Sequence, residues 1–168
     1  IAGGSSCLTR TYAEIGGPID LIGEGGLPVT EQDLMGRQSL VFFGFTYCPD
    51  ICPMALYTLG EAIKRLPEGV PAPRTVQITV DPDRDTPEIL SRYLSDPSFP
   101  DDAIGLTGDA RSIRAAADAF KADYRRVDDA SSAAGYTMDH TSIIYLMDEN
   151  WKLKSFFTHA YSPEQIAT

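Results

Sequence analysis

Two cysteines separated by three residues are the part of this sequence best suited to chemistry. They lie in the segment from Thr46 to Pro53, where Cys48 and Cys52 are each followed directly by a proline. Because proline disfavours the right-handed helical conformation in the residue before it, both thiols are predicted on a loop ahead of a helix that begins near Pro53. The start of that helix lowers the pKa of a nearby thiol. The segment therefore predicts either a disulfide-forming pair or a metal site of two thiolates, and inert buried cysteines are the less favoured interpretation.

The elements around this segment predict how it is positioned. A nearly continuous apolar run at Ser39–Phe45 is typical of a parallel strand covered on both faces. The helix that follows ends before Pro67. The other predicted elements are a hairpin strand Ile19–Ile22, strands Thr75–Val80, Ile104–Thr107, Ser142–Met147 and Trp151–Phe157, a helix from the cap Thr86 to Leu94, and a helix capped by Asp109. Their order predicts an open α/β sheet with a mixed edge, in which chemistry lies past the carboxyl ends of the strands.

Length and charge exclude several classes of function. The chain has 168 residues, which is about one domain, and 14 basic against 24 acidic residues give a formal net charge of −10. Such an acidic chain is a poor partner for nucleic acid or anionic lipid. No run of 18 apolar residues occurs, so no transmembrane helix is predicted. Three cysteines are too few for a disulfide scaffold.

Five stretches carry a resemblance to a known family. They are Gly16-Gly17-Pro18, Phe43 to Pro53, Val80 to Pro87, Leu106-Thr107-Gly108 and Asp139-His140-Thr141. Together they resemble the Sco/SenC family, copper-binding proteins of thioredoxin-like fold that help assemble cytochrome c oxidase. The resemblance covers about residues 16 to 160. It implies a three-layer α/β fold with a mixed central sheet flanked by helices and an N-terminal β-hairpin.

The resemblance also implies a ligand set for copper. In that family two cysteines and a later histidine bind the metal, and the matching residues are Cys48, Cys52 and His140. Two thiolates suit Cu(I), and an added imidazole lets the same site hold Cu(II). From the residues alone, His140 is equally well explained as a surface histidine in a loop before a strand. The family usually has serine after this histidine, and Thr141 keeps the hydroxyl.

Two aspartates are weaker candidates for the same site. The family associates the residue matching Asp81 with copper or with partner contact, although a turn residue beside proline is an equal interpretation. Asp139 is placed to orient the imidazole of His140, while a solvated loop carboxylate is the more common outcome. Arg84 and Asp85 are predicted to serve a turn and a helix start. His159 is predicted to be a surface residue.

The ends of the chain give expectations about organisation and location. Residues 1–15, which include Cys7, are predicted to be a flexible leader, and residues 16–168 the copper-binding domain. A final helix is predicted to begin at Ser162 and to be cut short. The family implies an N-terminal membrane anchor in the precursor and a place on the periplasmic face of the inner membrane, with the mitochondrial intermembrane space as the alternative.

The resemblance implies a metallochaperone that passes copper to the binuclear centre of cytochrome c oxidase subunit II. Its further partners would be other copper chaperones and thiol reductants. The alternative is a thiol–disulfide oxidoreductase that reduces the cysteines of the same partner, with Cys48 and Cys52 as the redox pair. A general thioredoxin role is disfavoured because no proline lies between Pro100 and Pro163 to face the cysteines. A peroxidase is disfavoured because the upstream proline it needs is absent.

Overall fold

The central strand β3 (Ser39–Gly44) is buried over its whole length, as its apolar run predicts. A computed structural model describes residues 15–46, 51–100, 102–128, 136–140 and 143–158, and of residues 51–53, 126–128, 136–140 and 158 it describes the backbone alone. The other strands are β1 (Asp20–Ile22), β2 (Pro28–Thr30), β4 (Arg74–Thr79), β5 (Ile104–Leu106), β6 (Tyr124–Asp128), β7 (Tyr136–His140), β8 (Ile143–Met147) and β9 (Leu153–Thr158). The helices are α1 (Glu31–Leu34), α2 (Ile51–Lys64), α3 (Pro87–Leu94) and α4 (Ala110–Ala119).

Five strands form one mixed sheet in the order β5-β4-β3-β8-β9. Strand β3 pairs in parallel with β4 and β4 with β5, whereas β8 runs antiparallel to both β3 and β9. Parallel strands require crossover connections, and helices α2 and α3 supply them. The predicted open α/β sheet with a mixed edge is confirmed.

Alternating side chains of β3 feed two cores on opposite faces of the sheet. Val41 and Phe43 pack with α4 and the N-terminal hairpin, while Leu40 and Phe42 pack with α2 and α3. Because each face of the sheet is covered, the strands read as apolar runs rather than as alternation. This arrangement of helix, sheet and helix confirms the predicted three layers.

The predicted N-terminal hairpin is present as β1 and β2, which pair antiparallel. Ile22 and Thr107 exchange backbone hydrogen bonds of 2.7 and 2.8 Å, so the hairpin is tied to the end of β5. Gly16 has a φ of +94°, and a Cβ there would lie 2.8 Å from the Met147 side chain. The positive φ is the reason this position favours glycine, and the contact means that a larger residue would also displace the end of the Met147 side chain.

Both predicted helix caps are confirmed. The Thr86 side chain accepts a hydrogen bond from the Ile89 amide, with Pro87 in the first turn of α3. Asp109 accepts one of 2.7 Å from the Ser112 amide at the start of α4. Each cap satisfies a backbone donor that the first turn leaves without an intrahelical acceptor.

The predicted start of α2 was wrong by two residues. The helix begins at Ile51 rather than near Pro53, so the backbone of Cys52 lies in the first helical turn and not on a loop. The first four N–H groups of any helix lack intrahelical acceptors, so a proline in the first turn costs no helical hydrogen bond. This tolerance outweighs the restriction that Pro53 places on Cys52. Cys48 lies outside the described residues.

The hairpin of β6 and β7 was missed, and the loop predicted for His140 was wrong. His140 is the last residue of β7 and pairs with Tyr124. The charged segment around Arg125 and Arg126 has neither an apolar run nor a clear alternation, which hides its strand. Strand β9 begins at Leu153 instead of Trp151, because Trp151 completes the predicted turn from Asp148 with a φ of +63°.

Some expectations fall outside the described residues. These are the leader up to residue 14, including Cys7, the surface position of His159 and the helix predicted from Ser162. In the ranges that are described, no helix is both long and apolar enough to cross a membrane.

Candidate metal centre

The topology places the turn of Asp81 and the start of β8, the strand that follows His140, at one edge of the sheet. Strands β3 and β4 are parallel, with Gly44 opposite Thr79 at their carboxyl ends, and the antiparallel β8 begins at that same edge. Asp81 follows β4 by two residues, and His140 precedes the first residue of β8 by three. Since an extended chain spans at most about 3.6 Å per residue, the Cα atom of His140 lies within about 11 Å of that of Ile143.

The cysteine segment connects this edge to α2. Cys48 follows Gly44 by four residues, and Cys52 occupies the second position of α2. The partial positive charge of a helix start favours a thiolate over a thiol. No acidic residue lies in the first turn of α2 to offset that effect.

Thr46, the first residue of this segment, is held by the buried carboxylate of Asp85. Asp85 has no exposed surface. It accepts hydrogen bonds from the Thr46 amide at 3.0 Å and the Thr46 hydroxyl at 2.5 Å. The Thr79 hydroxyl donates to the same carboxylate at 2.7 Å. One side chain therefore joins the chain after β3 to the end of β4.

Two opposing effects set the pKa of Asp85. Burial raises it, and the negative charge of Asp81 adds to that rise. The hydrogen bonds from Thr46 and Thr79 favour the ionised form and lower the pKa. Burial is the larger effect, so the pKa of Asp85 lies above the usual value for aspartate.

Asp81 lies in the turn that follows β4, at the same edge. Its carbonyl accepts from the Asp85 amide at 2.9 Å, and its amide donates to the Thr79 hydroxyl at 3.0 Å. The Asp81 carboxylate is almost completely buried and pairs with Nε of Arg84. The guanidinium carbon of Arg84 lies 6.0 Å from the ring centroid of Phe45. Asp81 thus occupies a turn, as one of its two predicted roles requires, and its role at copper or in partner contact stays a prediction.

The strand that pairs with His140 is fixed to α4. Arg114 of α4 donates a hydrogen bond of 3.3 Å to the carbonyl of Tyr124. The guanidinium carbon of Arg114 also lies 3.9 Å from the ring centroid of Tyr124, within the range of a cation–π contact. Asp139 is opposite Arg125 in the same hairpin. The backbone position of His140 is therefore set by contacts that begin on α4.

The predicted copper ligands Cys48, Cys52 and His140 are assigned from the sequence and its family resemblance. Among the side chains that the structure describes, no three His, Cys, Asp or Glu residues form a group able to hold a metal ion. Cys48 and the side chains of Cys52, Asp139 and His140 are not among them. Their chemistry fits copper, because thiolates are soft ligands that select Cu(I) and imidazole accepts either oxidation state.

Sequence reasoning assigned Asp85 only to a turn and a helix start, and it did not single out Tyr124 or Arg114. Asp85 stands before Thr86 and Pro87, where a capping interpretation already explains an acidic residue. Nothing in the sequence indicates that its carboxylate reaches Thr46, which is 39 positions away. These contacts depend on which strands are neighbours.

The fold and the cysteine segment define a class of protein. An open mixed sheet, with a two-cysteine segment between its central strand and the next helix, is the arrangement of thioredoxin-like proteins. The segment lies at the carboxyl edge, where such sheets place their chemistry.

Comparison with known proteins narrows that class. A family model described as SCO1/SenC matches residues 9–168. A SCO2-like protein of Rickettsia felis is 40% identical over 153 residues, which cover 91% of this chain and 74% of the relative. SCO1 homolog 1, a mitochondrial protein of Arabidopsis thaliana, is 39% identical over 150 residues, 86% of this chain and 42% of that protein. This chain belongs to the SCO1/SenC family.

A solved structure extends the similarity to three dimensions. The crystal structure of Arabidopsis thaliana ScoI with copper bound has a TM-score of 0.85 and 34% identity, covering 91% of this chain and 93% of that one. The thioredoxin-like fold expected from the resemblance is thereby confirmed.

Proposed function

We propose that this protein is a copper chaperone that binds one copper ion through Cys48, Cys52 and His140. Its acceptor is the binuclear copper centre of cytochrome c oxidase subunit II. The observation that carries this proposal is the topology. Strand β3 ends four residues before Cys48, the turn of Asp81 lies at the same edge of the sheet, and β8, which begins three residues after His140, starts at that edge. The copper-bound relative of the same fold supports the choice of metal.

Copper is the cargo, and the chain's own residues hold and release it. Two thiolates and one imidazole leave Cu(I) with few enough ligands for an incoming thiolate to attack. Transfer then proceeds by ligand exchange, in which each thiolate of the acceptor replaces one ligand of this protein. The released thiolates of Cys48 and Cys52 remain at the start of α2, ready for another ion.

Copper titration with matched variants tests this ligand set. The reduced protein is expected to bind one Cu(I) per chain, and Cys48→Ser, Cys52→Ser and His140→Ala are each expected to weaken binding by at least tenfold. His159→Ala and Cys7→Ser are controls for the same residue types, and both are expected to bind as the wild type does. Unchanged affinity for both Cu(I) and Cu(II) in His140→Ala would remove that residue from the ligand set.

Reduction of the partner is the second candidate function. Cys52 in the first turn of α2, with no acidic residue in that turn, favours an ionised and nucleophilic thiol. The thiols of Cys48 and Cys52 would give two electrons and two protons to a disulfide of the acceptor, leaving a disulfide here and two thiols there. Reduction of an acceptor peptide by copper-free protein, retained in His140→Ala, would establish this activity separately from copper transfer.

The proposed location is the periplasmic face of the inner membrane, held by an anchor in the precursor. The mitochondrial intermembrane space is the alternative, since the relatives include both bacterial and mitochondrial proteins. Protease treatment of intact spheroplasts is expected to degrade the protein while leaving cytoplasmic markers whole. Protection from the protease would contradict the periplasmic location.

A further inference from the structure

A fully buried carboxylate extends the connection between β3 and β4 beyond the end of the sheet. The last ladder contact between these strands is the 2.9 Å hydrogen bond from the Val80 amide to the Gly44 carbonyl. Beyond that hydrogen bond, Asp85 connects the two chain segments, because its carboxylate accepts hydrogen bonds from both the amide and the hydroxyl of Thr46. Thr46 is the first residue of the cysteine segment and the last one described before α2 begins.

The directions of the hydrogen bonds fix what Asp85 must supply. The Thr79 hydroxyl accepts from the Asp81 amide at 3.0 Å, so its own proton is directed to Oδ2 of Asp85. The Thr46 amide donates to that same oxygen, and a backbone N–H can act only as a donor. Oδ2 must therefore be an acceptor. Among the described residues, Oδ1 contacts the Thr46 hydroxyl alone, and that hydroxyl can donate or accept.

These contacts hold the residue that stands two positions before Cys48. Thr46 stands two residues before Cys48, and α2 begins three residues after Cys48. The stretch that bears the first thiol is thus bounded at one end by α2 and at the other by the buried Phe45 and by Thr46, which Asp85 holds. A segment already fixed at both ends loses less conformational entropy when its thiol binds a metal.

We infer that Asp85 is a positioning residue for the copper-binding thiols, acting through its hydrogen bonds to Thr46. This inference rests on the proposed copper site for its functional consequence. Asp85 does not touch the metal. It holds the start of the cysteine segment in one conformation before copper arrives.

The acceptor pattern suggests which variants separate geometry from charge. In Asp85→Asn the amide oxygen can replace Oδ2 and the NH₂ group can donate to the Thr46 hydroxyl, so all three contacts survive without the charge. Asp85→Ala removes them all. Thr46→Val removes the hydroxyl contact alone, and Thr46→Ser restores it.

Two measurements test the inference, and the first needs no copper. Hydrogen exchange of the Thr46 amide, followed by ¹⁵N NMR in the reduced copper-free protein, is expected to be at least tenfold faster in Asp85→Ala than in the wild type. The second is the Cu(I) dissociation constant, measured in competition with bathocuproine disulfonate. Loss of groups that orient metal ligands typically costs about 10–100-fold in affinity, and Asp85→Ala is expected to fall in that range.

Asp85→Asn is expected to stay within about threefold of the wild type in both measurements, as hydrogen bonds rather than charge carry the effect. Ile113→Val is the control for loss of stability, because Ile113 is buried on α4 across the sheet from α2. It is expected to bind Cu(I) normally. If Asp85→Ala does not fold, Thr46→Val and Thr46→Ser carry the test, with weaker binding expected in the first and not in the second.

Wild-type exchange and Cu(I) affinity in Asp85→Ala would overturn the inference, as would equal losses in Asp85→Asn and Asp85→Ala. Failure of the wild type to bind Cu(I) would instead overturn the proposed function. In that case the exchange rate of the Thr46 amide still decides whether Asp85 anchors the segment.

Discussion

The two ends of strands β3 and β4 differ in whether their buried polar side chains have hydrogen-bond partners. At the carboxyl end, the Thr79 hydroxyl and the Asp85 carboxylate satisfy one another and the backbone around them. Toward the amino end, Ser39 and Thr75 are fully buried, and their hydroxyls have no hydrogen-bond partner among the described residues. The same holds for the side-chain amide of Gln77 in the middle of β4.

A groove that is open to solvent also lies toward the amino end of β3. It has a volume of about 370 Å³ and is lined mainly by apolar side chains such as Leu40, Ile63 and Leu146. Close hydrogen bonding is concentrated at the edge that receives the cysteine segment, which indicates that this edge must hold one geometry.

Removal of the Asp85 carboxylate should give the largest change. Asp85→Ala leaves the half-buried Thr46 amide and the fully buried Thr79 hydroxyl without their acceptor, and we expect the free energy of unfolding to fall by about 2–5 kcal/mol. Urea denaturation measures this change. A loss below that of a typical surface substitution would mean that the carboxyl end is no better organised than the amino end.

Two threonines of β4 allow a matched comparison of the two ends. Both Thr79 and Thr75 are fully buried on the same face of the strand. Thr79→Val removes a hydroxyl that both donates and accepts, so it should cost about 1–3 kcal/mol. Thr75→Val replaces an unsatisfied hydroxyl and should be neutral or slightly stabilising. Equal losses of unfolding free energy in Thr79→Val and Thr75→Val would contradict the difference between the two ends.

The raised pKa of Asp85 predicts a pH dependence. Between the usual aspartate pKa and its raised value, the folded state binds more protons than the unfolded state, so this group stabilises less as pH rises. The stability of the wild type relative to Asp85→Asn should therefore be greatest below the usual aspartate pKa and should decline toward neutral pH. Urea denaturation across a pH series measures it, and a relative stability that rises with pH would contradict this sign.

The smallest effect is expected at the surface near the amino end. Arg37 pairs with Asp102, and both side chains are more than a third exposed. Such pairs contribute at most about 1 kcal/mol and are screened by salt. Asp102→Ala removes this pair and leaves the hydrogen bond from Arg37 to the Ala72 carbonyl in place, so it should change stability little, and the change should shrink further in 0.5 M NaCl. A large loss of unfolding free energy that does not depend on salt would contradict this weak, solvent-screened pairing at the amino end.

The sequence predicted those parts of the fold that apolar patterning controls. The buried run of β3, the capped helices α3 and α4 and the mixed sheet all follow from local residue types. The β6–β7 hairpin was missed because its strands are charged and polar, and the start of α2 was misplaced because a first-turn proline is tolerated.

The candidate site shows the same division. Cys48, Cys52 and His140 could be singled out from residue type and family resemblance, whereas the role of Asp85 could not. A carboxylate that reaches 39 positions back along the chain becomes visible only once β3 and β4 are known to be neighbours.

X-ray absorption spectroscopy at the copper edge tests the central claim most directly. For the reduced protein loaded with one Cu(I), we predict two sulfur ligands and one nitrogen ligand, with the nitrogen absent in His140→Ala and one sulfur lost in Cys48→Ser. A copper environment without sulfur, or one that is the same in all three proteins, would contradict a site built from Cys48, Cys52 and His140.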